Sequence, residues 1–380
     1  MAKGTVEYGA LPFKEAIAFF RQKLSMPSEH FNDLWKDMHA KGFMVAGVMK
    51  AELLTDLRGA VDKIISAGGT LAEFRKNFDS IVEQHGWLFK GGRNWRTKVI
   101  YNTNLRQSNN AGRYQQMTEP EVLKLRPYWR YRHSGSANPR ESHLALNGLV
   151  LPHDDPFWDT YYPQNGWGCN CGVDNLSKRD LARIGKTGPD TAPEIKYREY
   201  VDRNGNKHQV PEGIDPGFNY NVGKAAEKSY KILAERFETL PYDIAKPFMA
   251  EFVAGPAFEQ FHAGKIKGEF PVAMLSESDK TALGSQAQTV WISQTTLAEH
   301  KASHPEISLE DYRLIPEIIE TGEVYKQGAT RLIFLKKDGR LYRAALKRTG
   351  DRKENYFLTL FEIDEGRGNR QVRNKYERIR

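Results

Sequence analysis

Cysteine and long apolar runs are what this chain has least of. Its 380 residues include two cysteines, Cys169 and Cys171, with one residue between them. Two cysteines cannot build a disulfide framework, and a bridge between these two would close a small, strained ring. The apolar runs, such as residues 43–49, fall far short of the roughly 20 residues that cross a membrane. No charged segment followed by an apolar core opens the chain, so we expect no signal peptide, and synthesis and folding in the cytoplasm.

The composition otherwise suits folded domains. Hydrophobic residues make up 39% of the chain and charged residues 27%, as in globular proteins. The last fifty residues hold 15 Lys or Arg and seven Asp or Glu, an excess that equals the net charge of +8 of the whole chain. Residues 331–380 would therefore attract an anionic partner such as DNA or RNA. A solvated basic face, or contact with an acidic neighbouring subunit, would use the same charges.

Aromatic, His, Asp and Cys residues are densest in residues 128–173. This segment holds both cysteines and three of the seven tryptophans. The residues before it show helical patterns of apolar side chains, and those after it lead to a separate basic domain. The sequence therefore predicts an α+β protein with a mainly helical N-terminal part, a loop-rich centre and a small α+β C-terminal domain with an antiparallel sheet.

The predicted N-terminal domain covers residues 1–268 and has three parts. A helical lead-in spans 1–116, a segment that we call the central knot spans 117–223, and a helical closure spans 224–268. Apolar spacing and capping residues predict the helices of the lead-in and closure: 12–24, 29–41, 50–67, 71–85, 95–116, 224–238 and 241–268. Within the knot we expect strands at 128–132 and 148–151, a helical turn at 141–146 and a hairpin turn at 202–206.

The predicted C-terminal domain covers residues 289–380, after a linker at 269–288. Alternating patterns and a hairpin turn at Asp338-Gly339 predict its sheet. Its elements are a strand at 289–292, helices at 295–300 and 309–320, and basic strands at 331–336, 342–347 and 356–360.

The two cysteines suggest a metal site. Zinc favours four Cys or His ligands, and Cys169 and Cys171 with His133, His143 or His153 would supply them. One intervening residue is an unusual spacing for zinc, and buried cysteines often act as small apolar residues. Cys169 with His143 as a nucleophile pair is a further reading, although no oxyanion signal accompanies it. No other cofactor is expected.

Three motifs resemble one known family. Residues 142–148 read SHLALNG, residues 154–173 read DDPFWDTYYPQNGWGCNCGV and residues 213–223 read GIDPGFNYNVG. Together they resemble the phage Mu F-like head-morphogenesis family, and the resemblance extends over about residues 1–250. The residue between the cysteines is often basic in that family, whereas here it is Asn170, which weakens the idea that this loop contacts nucleic acid.

The resemblance implies a minor capsid protein of a tailed phage or prophage. Such proteins act with the portal protein and the major capsid protein in procapsid assembly and are carried in the head. We therefore expect a location in the virion and no membrane partner.

A second resemblance concerns residues 289–380. Thr295, His300, His304-Pro305-Glu306, Tyr312 and the basic strands are similar to phage nuclease-like domains of the barnase–EndoU–colicin–RelE superfamily. This resemblance implies metal-independent RNA cleavage. Such chemistry needs a proton acceptor, a proton donor and cations near the phosphorane.

The candidate catalytic residues follow from those needs. His300 would act as acid or base, Arg343 and Lys347 would hold the phosphate, and Tyr356 or Thr359 would orient it, with Lys301 and His304 as second choices. The alternative is structural, because a His near a helix end often bonds the backbone and alternating basic residues often form the solvent face of a strand. Three hypotheses remain open: a structural head protein, an RNase carried with the head, and a DNA-contacting packaging aid.

Overall fold

The computed structural model describes residues 13–364 and 366–380, so the first twelve residues of the predicted lead-in lie outside the described residues. Among them the helices are α1 Lys14–Arg21, α2 Met38–Lys41, α3 Ala51–Ala67, α4 Leu71–His85, α5 Arg93–Thr118, α6 Pro120–Leu125, α7 Glu141–Leu144, α8 Phe157–Tyr161, α9 Lys178–Arg183, α10 Val222–Ala226, α11 Ala234–Thr239, α12 Tyr242–Ala254, α13 Pro256–His262, α14 Glu277–Leu283, α15 Gln294–Ser303, α16 Leu309–Arg313, α17 Ile315–Thr321 and α18 Arg367–Lys375. The strands are β1 Leu24–Ser25, β2 Gly42–Phe43, β3 Tyr128–Arg132, β4 Val150–Pro152, β5 Gly172–Leu176, β6 Tyr197–Val201, β7 Lys207–Pro211, β8 Glu269–Met274, β9 Thr289–Ser293, β10 Glu323–Gln327, β11 Arg331–Asp338, β12 Arg340–Arg348, β13 Asn355–Glu362 and β14 Glu377–Arg378.

The predicted fold class is confirmed. The N-terminal part is mainly helical, and a sheet in which all but one strand pair is antiparallel forms late in the chain. The residues divide by their contacts into two units. The first unit includes Ser28–Val48 and Glu52–Glu227, and the second includes Lys228–Arg380. The helices α11, α12 and α13 of the predicted closure therefore belong with the C-terminal sheet, because α12 packs on β8.

The long helices of the first unit follow their sequence patterns. In α3 the apolar stripe that includes Leu53, Leu57 and Ile64 is buried. Thr70 caps α4, since its hydroxyl accepts from the Glu73 backbone N–H and the Glu73 carboxylate accepts from that of Thr70. The helix ends at Gly86 with φ +59°.

Breaks interrupt four predicted helices: 29–41, 224–238, 241–268 and 309–320. The first two breaks have local causes. Residues 29–41 form a 3-10 turn at Phe31–Asp33 and the short α2. The Asp33 carboxylate accepts the backbone N–H groups of Glu29 and His30, and Lys36 has a φ of +47°, so a continuous helix cannot form. Residues 224–238 break after α10, where the Ser229 hydroxyl accepts from the N–H of Lys231 and caps a second 3-10 turn.

The central knot contains a small antiparallel sheet in the order β4-β3-β5. Its inner face carries Trp129 and Tyr131, which pack with Trp158 and Tyr162 in one buried cluster. The hairpin of β6 and β7 turns at residues 202–206, as predicted. The knot is thus held by aromatic side chains from its loops and short elements, together with Ala111, Tyr114 and Met117 of the long helix α5.

The second unit is built on seven strands in the order β14-β10-β11-β12-β13-β9-β8. Only β13 and β9 pair in parallel among these strands. The predicted strands near 331–336, 342–347 and 356–360 are present as β11, β12 and β13. The predicted linker at 269–288 is instead β8, which pairs with β9, followed by α14. Burial of Phe270, Val272 and Met274 places β8 in the core of this unit.

A helix that crosses a membrane must be both long and apolar. No helix in the part of the chain that the structure describes is both long and apolar enough to cross a bilayer.

Candidate functional site

One cluster in the central knot brings together three of the five candidate metal ligands. His143 lies in α7, and Cys169 and Cys171 lie just before β5. One ligand atom from each lies within 4.8 Å of the others, and all three residues are buried. The Cys171 Sγ is 3.9 Å from the His143 Nδ1. This arrangement presents two sulfurs and one imidazole nitrogen to a common point.

The orientation of His143 is set by its other ring nitrogen. His143 Nε2 lies 2.7 Å from the carbonyl oxygen of Gly213. A carbonyl can only accept, so Nε2 carries the proton and donates it. The lone pair of Nδ1 therefore faces the sulfurs when the ring is neutral.

The other candidate histidines lie outside this group. His133 Nδ1 accepts from the Gly135 backbone N–H at 3.2 Å. His153 Nδ1 is 3.3 Å from the Pro127 carbonyl oxygen, and its ring packs on Trp129. His133 was predicted as a ligand because sequence order alone cannot tell which histidine faces the cysteines.

The two thiols differ in acidity. A hydrogen bond from Cys169 is the largest cause that lowers the pKa of Cys171, to about 4, and interactions with His143 and Tyr131 also lower it. The same sulfur–sulfur hydrogen bond and burial raise the pKa of Cys169. Cys169 is thus the proton donor of the pair, which is opposite to what a Cys169 nucleophile needs.

The surrounding polar groups are bonded to the knot itself or to the adjoining helix α5. The Tyr131 hydroxyl donates to Asn165 Oδ1 at 3.0 Å, and the Tyr162 hydroxyl donates to the Asn110 carbonyl at 2.9 Å. Trp158 Nε1 donates to the carbonyl of Pro152 at 2.9 Å. Each aromatic ring is therefore fixed at its polar end as well as by packing.

In the second unit, His300 is buried and fully hydrogen-bonded. The Leu360 backbone N–H donates to its Nε2 at 3.0 Å, so the ring proton sits on Nδ1, which lies 2.5 Å from the Tyr312 hydroxyl. Burial is the largest cause that lowers the pKa of His300, followed by the charge of His304. A neutral His300 therefore accepts the backbone N–H of Leu360. Leu360 is a β13 residue that lies beyond the segment in which β13 pairs with β9.

The other four catalytic candidates share one face of the sheet. The register places Arg343 opposite Phe361, Ala345 opposite Thr359 and Lys347 opposite Tyr356. Arg343 stacks over the Phe361 ring at 5.4 Å, and the Tyr356 hydroxyl donates to Glu354 at 2.9 Å. Lys347 is exposed. Arg343 and Lys347 make this face basic, but Arg343 and Tyr356 already have partners.

The second-choice residues are also engaged. Lys301 Nζ donates to the His262 carbonyl at 3.0 Å. His304 Nδ1 is 3.1 Å from the Glu306 carboxylate, and its ring stacks on Phe361.

A cavity in the first unit is lined by ionisable and aromatic residues that the sequence did not mark as candidates for a site. It has a volume of about 170 Å³ and is lined by Lys23, Phe31, His39, Trp95, Gln107 and Trp167 among others. Lys23 is 2% exposed. Nothing in the local sequence marks Lys23 or His39, because their burial depends on how α1, α2 and α5 pack.

Comparison with known proteins identifies relatives of part of the chain. Residues 55–174 match the family model described as Phage Mu protein F like protein. The chain is 31% identical to "Putative capsid assembly protein F" of Escherichia phage Mu over 247 residues, which is 57% of this chain and 55% of that protein. It is 33% identical to the Mu-like prophage FluMu F protein of Haemophilus influenzae over 212 residues, or 50% of this chain and 51% of that protein.

These matches support the resemblance to the Mu F-like family for the region that contains His143, Cys169 and Cys171. The chain spans about half the length of the curated relatives it matches. No solved structure matches it.

Proposed function

We propose that this chain is a minor capsid protein that acts in head morphogenesis of a tailed phage or prophage. In this proposal it works with the portal protein and the major capsid protein during procapsid assembly and is carried in the virion head. The observation that carries the proposal is the 31% identity over 247 residues to a protein named as a capsid assembly protein.

The geometry of the central knot supports a structural role. His143, Cys169 and Cys171 are buried, and the aromatic side chains around them are hydrogen-bonded to the knot and to α5. Groups that cannot reach a substrate are suited to holding a shape. A rigid knot of this kind would present fixed surfaces to neighbouring subunits.

Exposed apolar side chains in the first unit supply candidate contact points. Leu88 is 96% exposed, Trp95 is 63% exposed and Leu125 is 72% exposed. Tryptophan side chains such as that of Trp95 are common anchors at protein interfaces. Such anchors are what an assembly role requires.

A genetic experiment tests the proposal. Deleting the coding segment in the phage or prophage should sharply reduce the number of DNA-filled heads counted by electron microscopy. Supplying the intact chain from a plasmid should restore them. Normal numbers of filled heads in the deletion strain would show that the chain has no role in head assembly.

A second candidate function is RNA cleavage by the C-terminal residues. The shared face of Arg343, Lys347, Thr359 and Tyr356 favours it, whereas the bonded, neutral state of His300 does not. RNA cleavage by the intact protein, measured in EDTA and in magnesium, tests this reading. The RNase hypothesis predicts loss of cleavage in the His300→Ala and Arg343→Ala variants, and intact RNA with the unaltered protein would end it.

A further inference from the structure

The central knot holds two sulfurs and an imidazole nitrogen around one point, with no role in catalysis to explain them. We propose that Cys169, Cys171 and His143 bind one Zn²⁺ ion through the two Sγ atoms and Nδ1, and that this ion fastens the knot. The proposal concerns the construction of the protein and does not depend on its role in heads.

The donor set fits zinc. Sulfur and imidazole nitrogen are the ligands that Zn²⁺ takes in structural sites, at about 2.0–2.3 Å from the ion. Donors at those distances around a tetrahedral ion are themselves about 3.5–4 Å apart. The separation of 3.9 Å between Cys171 Sγ and His143 Nδ1 is in that range, and the whole set lies within 4.8 Å. A small inward movement of side chains would complete the site.

The histidine is arranged as a ligand histidine is. A metal-bound imidazole usually donates its second N–H to a carbonyl or carboxylate, which fixes the ring. Here the Gly213 carbonyl accepts that proton at 2.7 Å. Gly213 has a φ of +84°, and a Cβ there would lie 2.9 Å from the Ser142 side chain. The backbone at Gly213 can therefore approach α7 closely only because the residue is glycine.

The Cys169 sulfur is arranged as a thiolate ligand is. The backbone N–H groups of Asn165 and Cys171 are directed at it, whereas the Tyr131 hydroxyl beside Cys171 donates to Asn165 Oδ1. Donors directed at sulfur stabilise its negative form. Two thiolates and a neutral imidazole would cancel the charge of Zn²⁺, so the loaded site could stay buried without an unpaired charge.

The ion would join segments that are distant in sequence. His143 comes from α7, and the cysteines come from the turn that leads into β5. A water molecule would take the fourth position, next to Tyr131 and Asn165. Asn165 is fully buried, and its Nδ2 has no hydrogen-bond partner among the described residues. A bound water would therefore also satisfy this group.

Metal analysis of the intact protein tests the proposal. The full chain, purified without chelators, should contain close to one zinc per chain by mass spectrometry of the metal. Cys169→Ser, Cys171→Ser and His143→Ala should each lower that ratio severalfold. The matched controls His133→Ala and His153→Ala, which remove knot histidines outside the cluster, should keep it.

A second measurement covers variants that fail to fold. Cobalt exchanged into the unaltered protein should give thiolate-to-cobalt charge-transfer absorption, and chelation of the metal should lower the Tm. Three results would overturn the proposal: unaltered protein that lacks zinc and binds no cobalt, zinc retained in the three ligand variants, or a Cys169–Cys171 disulfide in the purified protein.

Discussion

At the residue scale, Lys23 is a lysine enclosed in the first unit. Its Nζ donates to the His39 carbonyl at 2.7 Å and to Gln107 Oε1 at 3.3 Å. Burial, with a smaller effect of Arg58, lowers its pKa from 10.5 to about 7. Burial, and next the charge of Lys23, lower the pKa of His39 to about 3, so that ring stays neutral.

Lys23 should make the free energy of unfolding depend on pH in the neutral to alkaline range. Between its folded and unfolded pKa values the unfolded chain binds more protons, so the free energy of unfolding rises with pH and the gain is lost as pH falls towards 7. From about pH 7 to about pH 10 the expected gain is about 3 kcal/mol. Urea unfolding at both pH values should show a gain about 3 kcal/mol smaller in Lys23→Met than in the unaltered protein. Both proteins keep the contribution of Lys41, whose pKa burial lowers to about 8.

The control for that experiment is Lys14→Met. Lys14 is an exposed lysine at the start of α1, so its replacement should keep the gain. An equal gain in Lys23→Met and the unaltered protein would contradict the buried-lysine explanation.

His300 should matter for stability. Replacing it with Ala leaves the Leu360 N–H and the Tyr312 hydroxyl buried without their partner, at a cost of about 3 kcal/mol. Lys347→Ala, at an exposed position on β12, should change the free energy of unfolding by less than about 0.5 kcal/mol. Denaturant unfolding of both variants checks this, and a His300→Ala protein as stable as the unaltered chain would contradict the structural role.

Part of the candidate site could be read from the sequence. Cys169 and Cys171 stand out because cysteine is rare here, and His143 lies in the quoted motif. The sequence could not show that His133 lies outside the cluster or that Lys23 is buried at the cavity, because both facts depend on which side chains the packed elements bring together. A tertiary contact between Leu360 and His300 likewise leaves no trace in local sequence.

At the scale of elements, the prediction succeeded where patterns were repeated and capped. The stripe of α3 and the capping box of α4 each specify a helix by several residues at once. Residues 29–41 have an apolar stripe too, but the side chain of Asp33 competes for backbone N–H groups. The strand β8 was missed because its apolar run, which starts beside Gly268, resembles a connector as much as a buried strand.

The contact between α1 and α5 depends on a small residue. A Cβ at Gly112 would lie 2.8 Å from the Ala16 backbone nitrogen and 2.8 Å from the Phe13 ring. Gly112→Ala should therefore lower the free energy of unfolding by about 2 kcal/mol, despite its better helix propensity. Thermal or urea unfolding measures the change.

Gly59→Ala is the matched control for that substitution. Gly59 lies inside α3, and a Cβ there would meet nothing within 4 Å. This replacement should raise the free energy of unfolding by about 0.5–1 kcal/mol. A rise in the free energy of unfolding at both glycines would show that close helix packing does not limit position 112.

At the scale of the whole molecule, the basic charge of the last fifty residues is partly neutralised within the second unit. Arg373 pairs with Glu323 at 2.8 Å, and Lys336 lies 3.2 Å from Glu317. The attraction for an anionic partner is thus weaker than the formal charge suggests. Sequence gives the charge and its position, but not these pairings or the strand order, which arise from contacts distant in the chain.

Arg331 and Lys347 test the DNA-contacting alternative. They are exposed and lie opposite each other on β11 and β12. If the sheet binds DNA, replacing both with Glu should weaken binding and reduce the slope of log affinity against log salt by about two. Replacing the exposed Lys178 and Arg179 of α9 changes the net charge equally and should have little effect. Equal losses in both double variants would indicate general attraction rather than a binding surface.

The most direct test of the head-assembly role is the location of the protein during infection or induction. Lysates with a tagged chain, separated on a density gradient, should show the chain in the fractions that contain procapsids and filled heads. The amount of chain in these fractions should not fall after a salt wash, since a component built into the head is not held by charge alone. A chain found only at the top of the gradient, in a strain that makes normal heads, would contradict the role proposed here.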